Sequence, residues 1–247
     1  MLAPTLLDSL EHGLGVKYRL LAVRGAAPQM ACSDRSFASR EIRAIHDKST
    51  VRVYQAYNDA IADAAVAANS FRAPLEAGLW SSTRMTWIKP SAVWMAYRCG
   101  WTVLKDKNQA RVLALDVSRE GFESLLMDAT LSHGSKPGTC KQGPVTVQWD
   151  PERVMHPKAP TDQVLTKSLS GVRSIQIGLR GKAVEQLLDP GFVLRITDVT
   201  QRFRRAAELM QAGAGVEAAT DALYPDRQES DMEVSAALRE VLCMNCG

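Results

Sequence analysis

From Ile42 onward the apolar positions of this chain recur either every second residue or with a period near 3.6, whereas residues 1–40 hold no sustained pattern. That first stretch ends in the small and polar "AAPQMACSDRSFASR" and is expected to be a weakly structured extension. "VRVYQAY" (51–57) is β-branched and aromatic and predicts a strand; "NDAIADAAVAAN" predicts a helix capped by Asn58 or Asp59, with Ile61, Ala64, Ala65 and Ala68 on its buried face. "RMTWI" (84–88) predicts a short strand with Arg84, Thr86 and Ile88 on one face and Met85 and Trp87 on the other. Pro90 and Ser91 then open a helix on which Trp94, Tyr97, Arg98 and Trp101 form one stripe, with Trp94 and Trp101 read as core.

"RVLALDV" (111–117) reads as a buried strand, and the helix after it is expected to bury Phe122, Leu125, Leu126 and Ala129. Residues 132–144 read as a polar loop, "VTVQW" (145–149) as a strand, and "WDPER" (149–153) as a turn with Asp150 and Pro151 at its first two positions. Residues 154–170 lack periodicity and predict a surface excursion. In "VRSIQIGLRG" (172–181) strict alternation puts Val172, Ser174, Gln176, Gly178 and Arg180 on one polar, glycine-containing face of a strand, the character of a ligand-facing surface. A short helix, the strand "FVLRIT" and an amphipathic helix burying Phe203, Ala206, Ala207 and Met210 follow, with Arg202, Arg204 and Arg205 outside. "SDME" (230–233) reads as the capping box of a last helix. Strands and helices mix without a βαβ beat, so the expected fold is α+β (mixed α/β): one domain over residues 41–247 with a central split or mixed sheet flanked by helices.

The formal charge of +3 is too small to imply indiscriminate binding to nucleic acid or membrane, so any anion site must come from local clustering. No apolar run approaches the roughly 20 residues of a membrane span, and Asp8 and Glu11 sit in an opening with no basic residue before its first apolar run, unlike a targeting signal. The expected location is cytoplasmic, with no membrane partner. Five irregularly spaced cysteines argue against a disulfide framework; the terminal "CMNCG" lacks the second ligand pair that zinc requires, and no metal is expected. P-loop, dinucleotide-fingerprint, zincin and nucleophile-elbow motifs are absent. What remains is a set of cations, amides and aromatics near strand ends: Arg52, Gln55, Tyr57 and Asn58; Arg84, Trp87 and Lys89; Gln148, Trp149, Asp150 and Arg153; Arg173, Gln176 and Arg180. Guanidinium and ammonium groups bind phosphate, rings stack on bases, and amides read ribose or base edges, so the set suits a nucleotide or an RNA strand.

"TVRVYQAYNDAIADAAV", "RMTWIKPSAVWMAYRCGW", "VQWDPER" and "RSIQIGLRG", in that order, resemble the domain of unknown function 4291 family from about Ile42 to Tyr224. That resemblance implies no chemistry. The strand and helix order also resembles the ADP-ribosyltransferase fold, which implies NAD as cofactor and a nucleic acid or small acceptor. On that resemblance Gln55 stands where such enzymes place a first-strand His, unless Arg52 takes an Arg role, and Gln176 stands where they place a catalytic Glu. A neutral amide cannot supply the charge that stabilises an oxocarbenium-like transition state. Either Glu152 or Glu185 serves instead, or the chemistry differs, or the fold only binds. The transferase reading assigns Arg52, Arg84 and Lys89 to the pyrophosphate and Trp87 or Tyr57 to a ring. The alternatives are a non-catalytic nucleotide- or RNA-binding module and an interaction scaffold without ligand.

Overall fold

A computed structural model describes residues 39–103, 107–132, 143–156 and 165–244; most of the expected N-terminal extension and of the 132–144 loop lies outside them. In chain order, β1 (Ser39–Glu41) and β2 (Arg43–Ala44) lead into β3 (Thr50–Tyr57), α1 (Asp59–Ala68) and α2 (Arg72–Glu76). Then come β4 (Thr86–Ile88), α3 (Ala92–Cys99), β5 (Arg111–Ser118), α4 (Arg119–Met127) and β6 (Ala129–Leu131). The long strands β7 (Val145–Met155) and β8 (Thr166–Leu179) are followed by α5 (Lys182–Glu185), β9 (Val193–Asp198), α6 (Thr200–Gln211), α7 (Val216–Leu223), β10 (Ser230–Asp231) and α8 (Ala236–Val241). The fold is α+β with mixed sheets.

Among the described residues one sheet runs β1-β8-β7-β6, with β4 also paired to β8, a second is the antiparallel β3-β5-β9, and β10 pairs with β2 in a third; the first two are the larger. The two larger sheets meet where Tyr54 and Lys89 exchange both backbone hydrogen bonds, 2.7 and 3.2 Å, so β3 continues the surface that β4 extends from β8. Val112 to Leu115 are all buried because β5 is covered on both faces. Val53, Leu115 and Ile88 belong to one apolar cluster with Ile175 and Ile177. On the opposite face Tyr54 and Ala114 pack with α3 and α6 through Ala92, Met95, Ala96, Phe203, Ala206 and Met210.

Local signals explain most elements. The Asn58 side chain accepts a bond from Ile61 N at 2.9 Å and starts α1, and Ser91 caps α3 by accepting from Trp94 N at 3.3 Å. In four places long-range pairing overrides a local signal. The "WDPER" stretch is not a turn: it continues β7, with Asp150 opposite Ser174, Pro151 opposite Arg173, and a bulge between Pro151 and Arg153. Proline, which has no N–H to donate, is tolerated at such a bulge, and its carbonyl accepts from Trp94 Nε1 at 3.1 Å. The "SDME" stretch is not a helix cap: Ser230–Asp231 pairs with Arg43–Ala44, and Ser235 caps α8 instead. Ala129 lies in β6 beyond the end of α4, and residues 154–155 and 166–170 belong to β7 and β8 rather than to an excursion.

Helix faces also shift. In α1 the buried alanines are Ala62 and Ala65, with Ala68 exposed. In α3 the core stripe is Ala92, Met95, Ala96 and Cys99, leaving Trp94, Tyr97 and Arg98 on the other side. Gly100, in the left-handed region at φ 57°, ends α3, so Trp101 leaves the helical stripe and enters the core on its own backbone turn. The basic exterior of α6 is paired: Arg202 with Asp226, Arg205 with Glu208, and Arg204 bonded to Thr102 Oγ1.

Candidate functional site

Strand register builds the site. Gln148 on β7 lies opposite Gln176 on β8, and Trp87 on β4 lies opposite Gly178, so these side chains emerge on one face of the sheet. Lys89, two residues beyond Trp87, shares that side of β4. Helix α3 crosses the same face and turns Trp94 and Arg98 towards it. Between them is a cavity of about 440 Å³ that also reaches Gln55, Tyr57, Arg84, Gln109 and Asp150. Gly178 makes room for it: a Cβ there would sit 2.2 Å from Met85 Cε and 3.1 Å from the Trp87 ring.

Two wall groups are in costly environments. Gln176 is 2% exposed, and neither its Oε1 nor its Nε2 has a hydrogen-bond partner among the described residues. Lys89 is 6% exposed, and burial, then the neighbouring Arg98, push its ammonium down from 10.5 to about 8. Gln55 differs from Gln176 in being fully engaged: Trp80 Nε1 donates to Tyr57 Oη, Tyr57 donates to Gln55 Oε1 at 2.8 Å, and Gln55 Nε2 donates to Thr86 Oγ1 and Trp87 O. That relay fixes the entry to β4 and leaves Gln55 positioning the wall. Burial pushes the Tyr57 hydroxyl up to about 12, so it stays a neutral donor.

Gln55, Tyr57, Arg84, Trp87, Lys89 and Gln176, all singled out in the sequence, therefore line one cavity. Asn58 lines a second cavity of about 510 Å³ that shares Tyr57, Arg84, Met85 and Thr86 with the first. The others lie elsewhere. Arg52 makes a two-pronged ion pair with Asp116, at 2.7 and 2.9 Å, away from both cavities. Arg173 donates to Trp149 O, and Arg180, which does not line the cavity, has its Nε 3.0 Å from Met85 Sδ. Glu152 is buried under Ser91, whose hydroxyl donates to it at 3.0 Å, in a separate cavity of about 230 Å³ that also holds Glu229 and Tyr224. Trp149 is core, its Nε1 bonded to Leu242 O.

Sequence reasoning did not find Gln109, Thr86 or Glu229, and it misassigned the side of α3 that faces the cavity. The small residues at 92, 96 and 99 were the available signal, since a helix packs most closely along its small side chains. Among the described residues no cluster of three or more His, Cys, Asp or Glu could hold a metal ion, and Cys246 lies outside them. No helix among the described residues is long and apolar enough to cross a membrane.

A family model described as Domain of unknown function (DUF4291) matches residues 41–229. No curated protein matches the chain.

Proposed function

The chain belongs to the DUF4291 family, and as that description names no activity, we propose a function from the cavity alone: it binds an anionic nucleotide, with NAD as the working ligand. The observation that carries this reading is Gln176, a buried amide whose donor and acceptor are both unused on the wall of a cavity of about 440 Å³. Such a group costs stability unless a ligand with complementary hydroxyl, amide or base-edge atoms completes it. The rest of the wall matches the other parts of a nucleotide. Arg84, Arg98 and Lys89 supply charge-assisted hydrogen bonds for phosphate, and Trp87 and Trp94 present indoles for a ring. The adjoining cavity of about 510 Å³ shares Arg84 with the first, so a dinucleotide can occupy both with its pyrophosphate at Arg84.

One observation favours a second reading, ADP-ribosyl transfer. Asp150 contributes a carboxylate to the cavity wall. It can oppose the positive charge that develops at the ribose C1′ as nicotinamide leaves, the role that neutral Gln176 cannot fill and that Glu152, in a separate cavity, does not reach.

Calorimetric titration with NAD, alongside an assay for free nicotinamide, tests both. Saturable binding is expected, with affinity reduced about 10- to 100-fold in Arg84→Ala, the loss of one charge-assisted contact. Nicotinamide release that Asp150→Asn abolishes supports transfer. Binding without release leaves the binding module; no heat with NAD or with AMP removes the nucleotide reading.

A further inference from the structure

Lys89 is an unusual choice for a cavity wall. Phosphate binding alone is served by exposed, permanently charged guanidinium groups, and Arg84 and Arg98 already provide two. Lys89 is instead enclosed, and the nearby Asp150 carboxylate, which favours its charged form, only partly offsets the burial and the Arg98 charge that disfavour it. Its backbone is locked on both sides, N–H and C=O each bonded to Tyr54, so the side chain starts from a fixed point on the floor of the cavity. A rigidly mounted amine whose desolvation and neighbouring guanidinium outweigh a nearby carboxylate is the arrangement that exposes a nitrogen lone pair near neutral pH. The wall around it is rich in neutral amides, Gln148 and Gln176, suited to sugar hydroxyls.

We propose that Lys89 is a nucleophile that forms an imine with the open-chain aldehyde of a phosphorylated ribose bound in this cavity. The proposal rests on the nucleotide reading for its choice of sugar, while the amine chemistry stands on Lys89 itself. The Nζ lone pair attacks C1 of the aldehyde, the carbonyl electron pair moves to oxygen, and a proton passes from nitrogen to that oxygen to give a carbinolamine. The nitrogen lone pair then expels the hydroxyl, which leaves as water after taking up a proton, and a C=N bond forms. No oxidant or reductant is consumed. Asp150, on the same wall, is placed to carry the proton between nitrogen and oxygen.

The test is reductive trapping. The full chain is incubated with ADP-ribose, and separately with ribose 5-phosphate, in the presence of cyanoborohydride, and the adduct is located by peptide mass. Binding of ADP-ribose is measured in parallel by calorimetry without reductant. Labelling at Lys89 is expected at least tenfold faster than at the exposed Lys48, Lys167 and Lys182. It should rise with pH through about 8 and vanish in Lys89→Met. The folded state of that variant is checked by circular dichroism, and Lys89→Arg provides a second, charge-retaining control that must also stay unlabelled. ADP-ribose that binds but labels all lysines alike overturns the imine and leaves the nucleotide reading standing. Selective labelling by ribose 5-phosphate without ADP-ribose binding upholds the imine and removes the nucleotide. Absence of both removes both.

Discussion

Replacing Lys89 by methionine removes a buried ammonium while keeping the length of the side chain and both backbone bonds to Tyr54. The displacement of the lysine from 10.5 to about 8 corresponds to about 3 kcal/mol against the charged form in the folded state, at ~1.4 kcal/mol per unit. Below pH 8 the folded and unfolded chains both carry the proton, and the whole penalty weighs on the folded state. Between pH 8 and 10.5 the folded amine is neutral while the unfolded one remains protonated, so wild-type stability rises with pH; above 10.5 the penalty is gone. Lys89→Met is therefore expected to be more stable than wild type by about 2–3 kcal/mol at pH 7, a rise in Tm of several degrees for a chain of this size. The gain shrinks to about zero by pH 10.5. Urea unfolding followed by tryptophan fluorescence at pH 7, 9 and 10.5 reads this directly. Tyrosine ionisation in the unfolded chain affects both proteins equally and cancels in the difference. A methionine variant no more stable than wild type at pH 7, or a gain that does not depend on pH, would refute the desolvation of Lys89 and with it the basis for its nucleophilicity.

Gln176→Leu should raise stability by about 1–2 kcal/mol, because it removes two buried polar atoms without partners, and should abolish NAD binding; a lower urea midpoint would show that the amide is satisfied in solution. Gly178→Ala places a Cβ against Met85 and Trp87; the thioether can swing aside but the indole must move, so NAD affinity should fall at least tenfold, and unchanged affinity would exclude Trp87 from the site. Glu229, which accepts from Ala92 N at 2.6 Å, is pushed up from 4.5 to about 8 by burial and the nearby Glu152. Its folded form holds a proton that the unfolded form has lost, so stability should fall as pH rises from 4.5 to 8, with a slope approaching ~1.4 kcal/mol per unit in mid-window. Glu229→Gln should flatten that slope, and an unchanged pH profile would contradict the buried state of the carboxyl.

Elements with their own local period were legible in the sequence: β3 and β5 from their β-branched runs, and α6, whose Phe203, Ala206, Ala207 and Met210 are all buried as the spacing implied. Elements made by long-range pairing were not. Asp150-Pro151 carries a turn signal, yet pairing with Ser174 and Arg173 across β8 outweighs it. Ser230-Asp231 resembles a helix cap, yet it pairs with residues far earlier in the chain, while Met232 N donates to Ile42 O at 2.9 Å. The cavity falls in the same class, because the pairings of Gln148 with Gln176 and of Trp87 with Gly178 leave no trace in spacing.

Residue type alone did not separate the candidates, but satisfaction of their polar groups does. Arg52 looked as suitable for phosphate as Arg84, but Asp116 already takes both its prongs, and such a pair needs nothing further. Gln55 looked equivalent to Gln176, but its amide is spent holding Thr86 and the Trp87 carbonyl. Gln176 and Lys89 remain, the first buried without partners among the described residues and the second buried beside Arg98 with its charged form disfavoured, and both line the same cavity. Each costs the folded chain stability that a leucine or methionine would restore. Two independent costs converging on one cavity are the pattern expected where a chain retains groups for what they bind rather than for what they hold together.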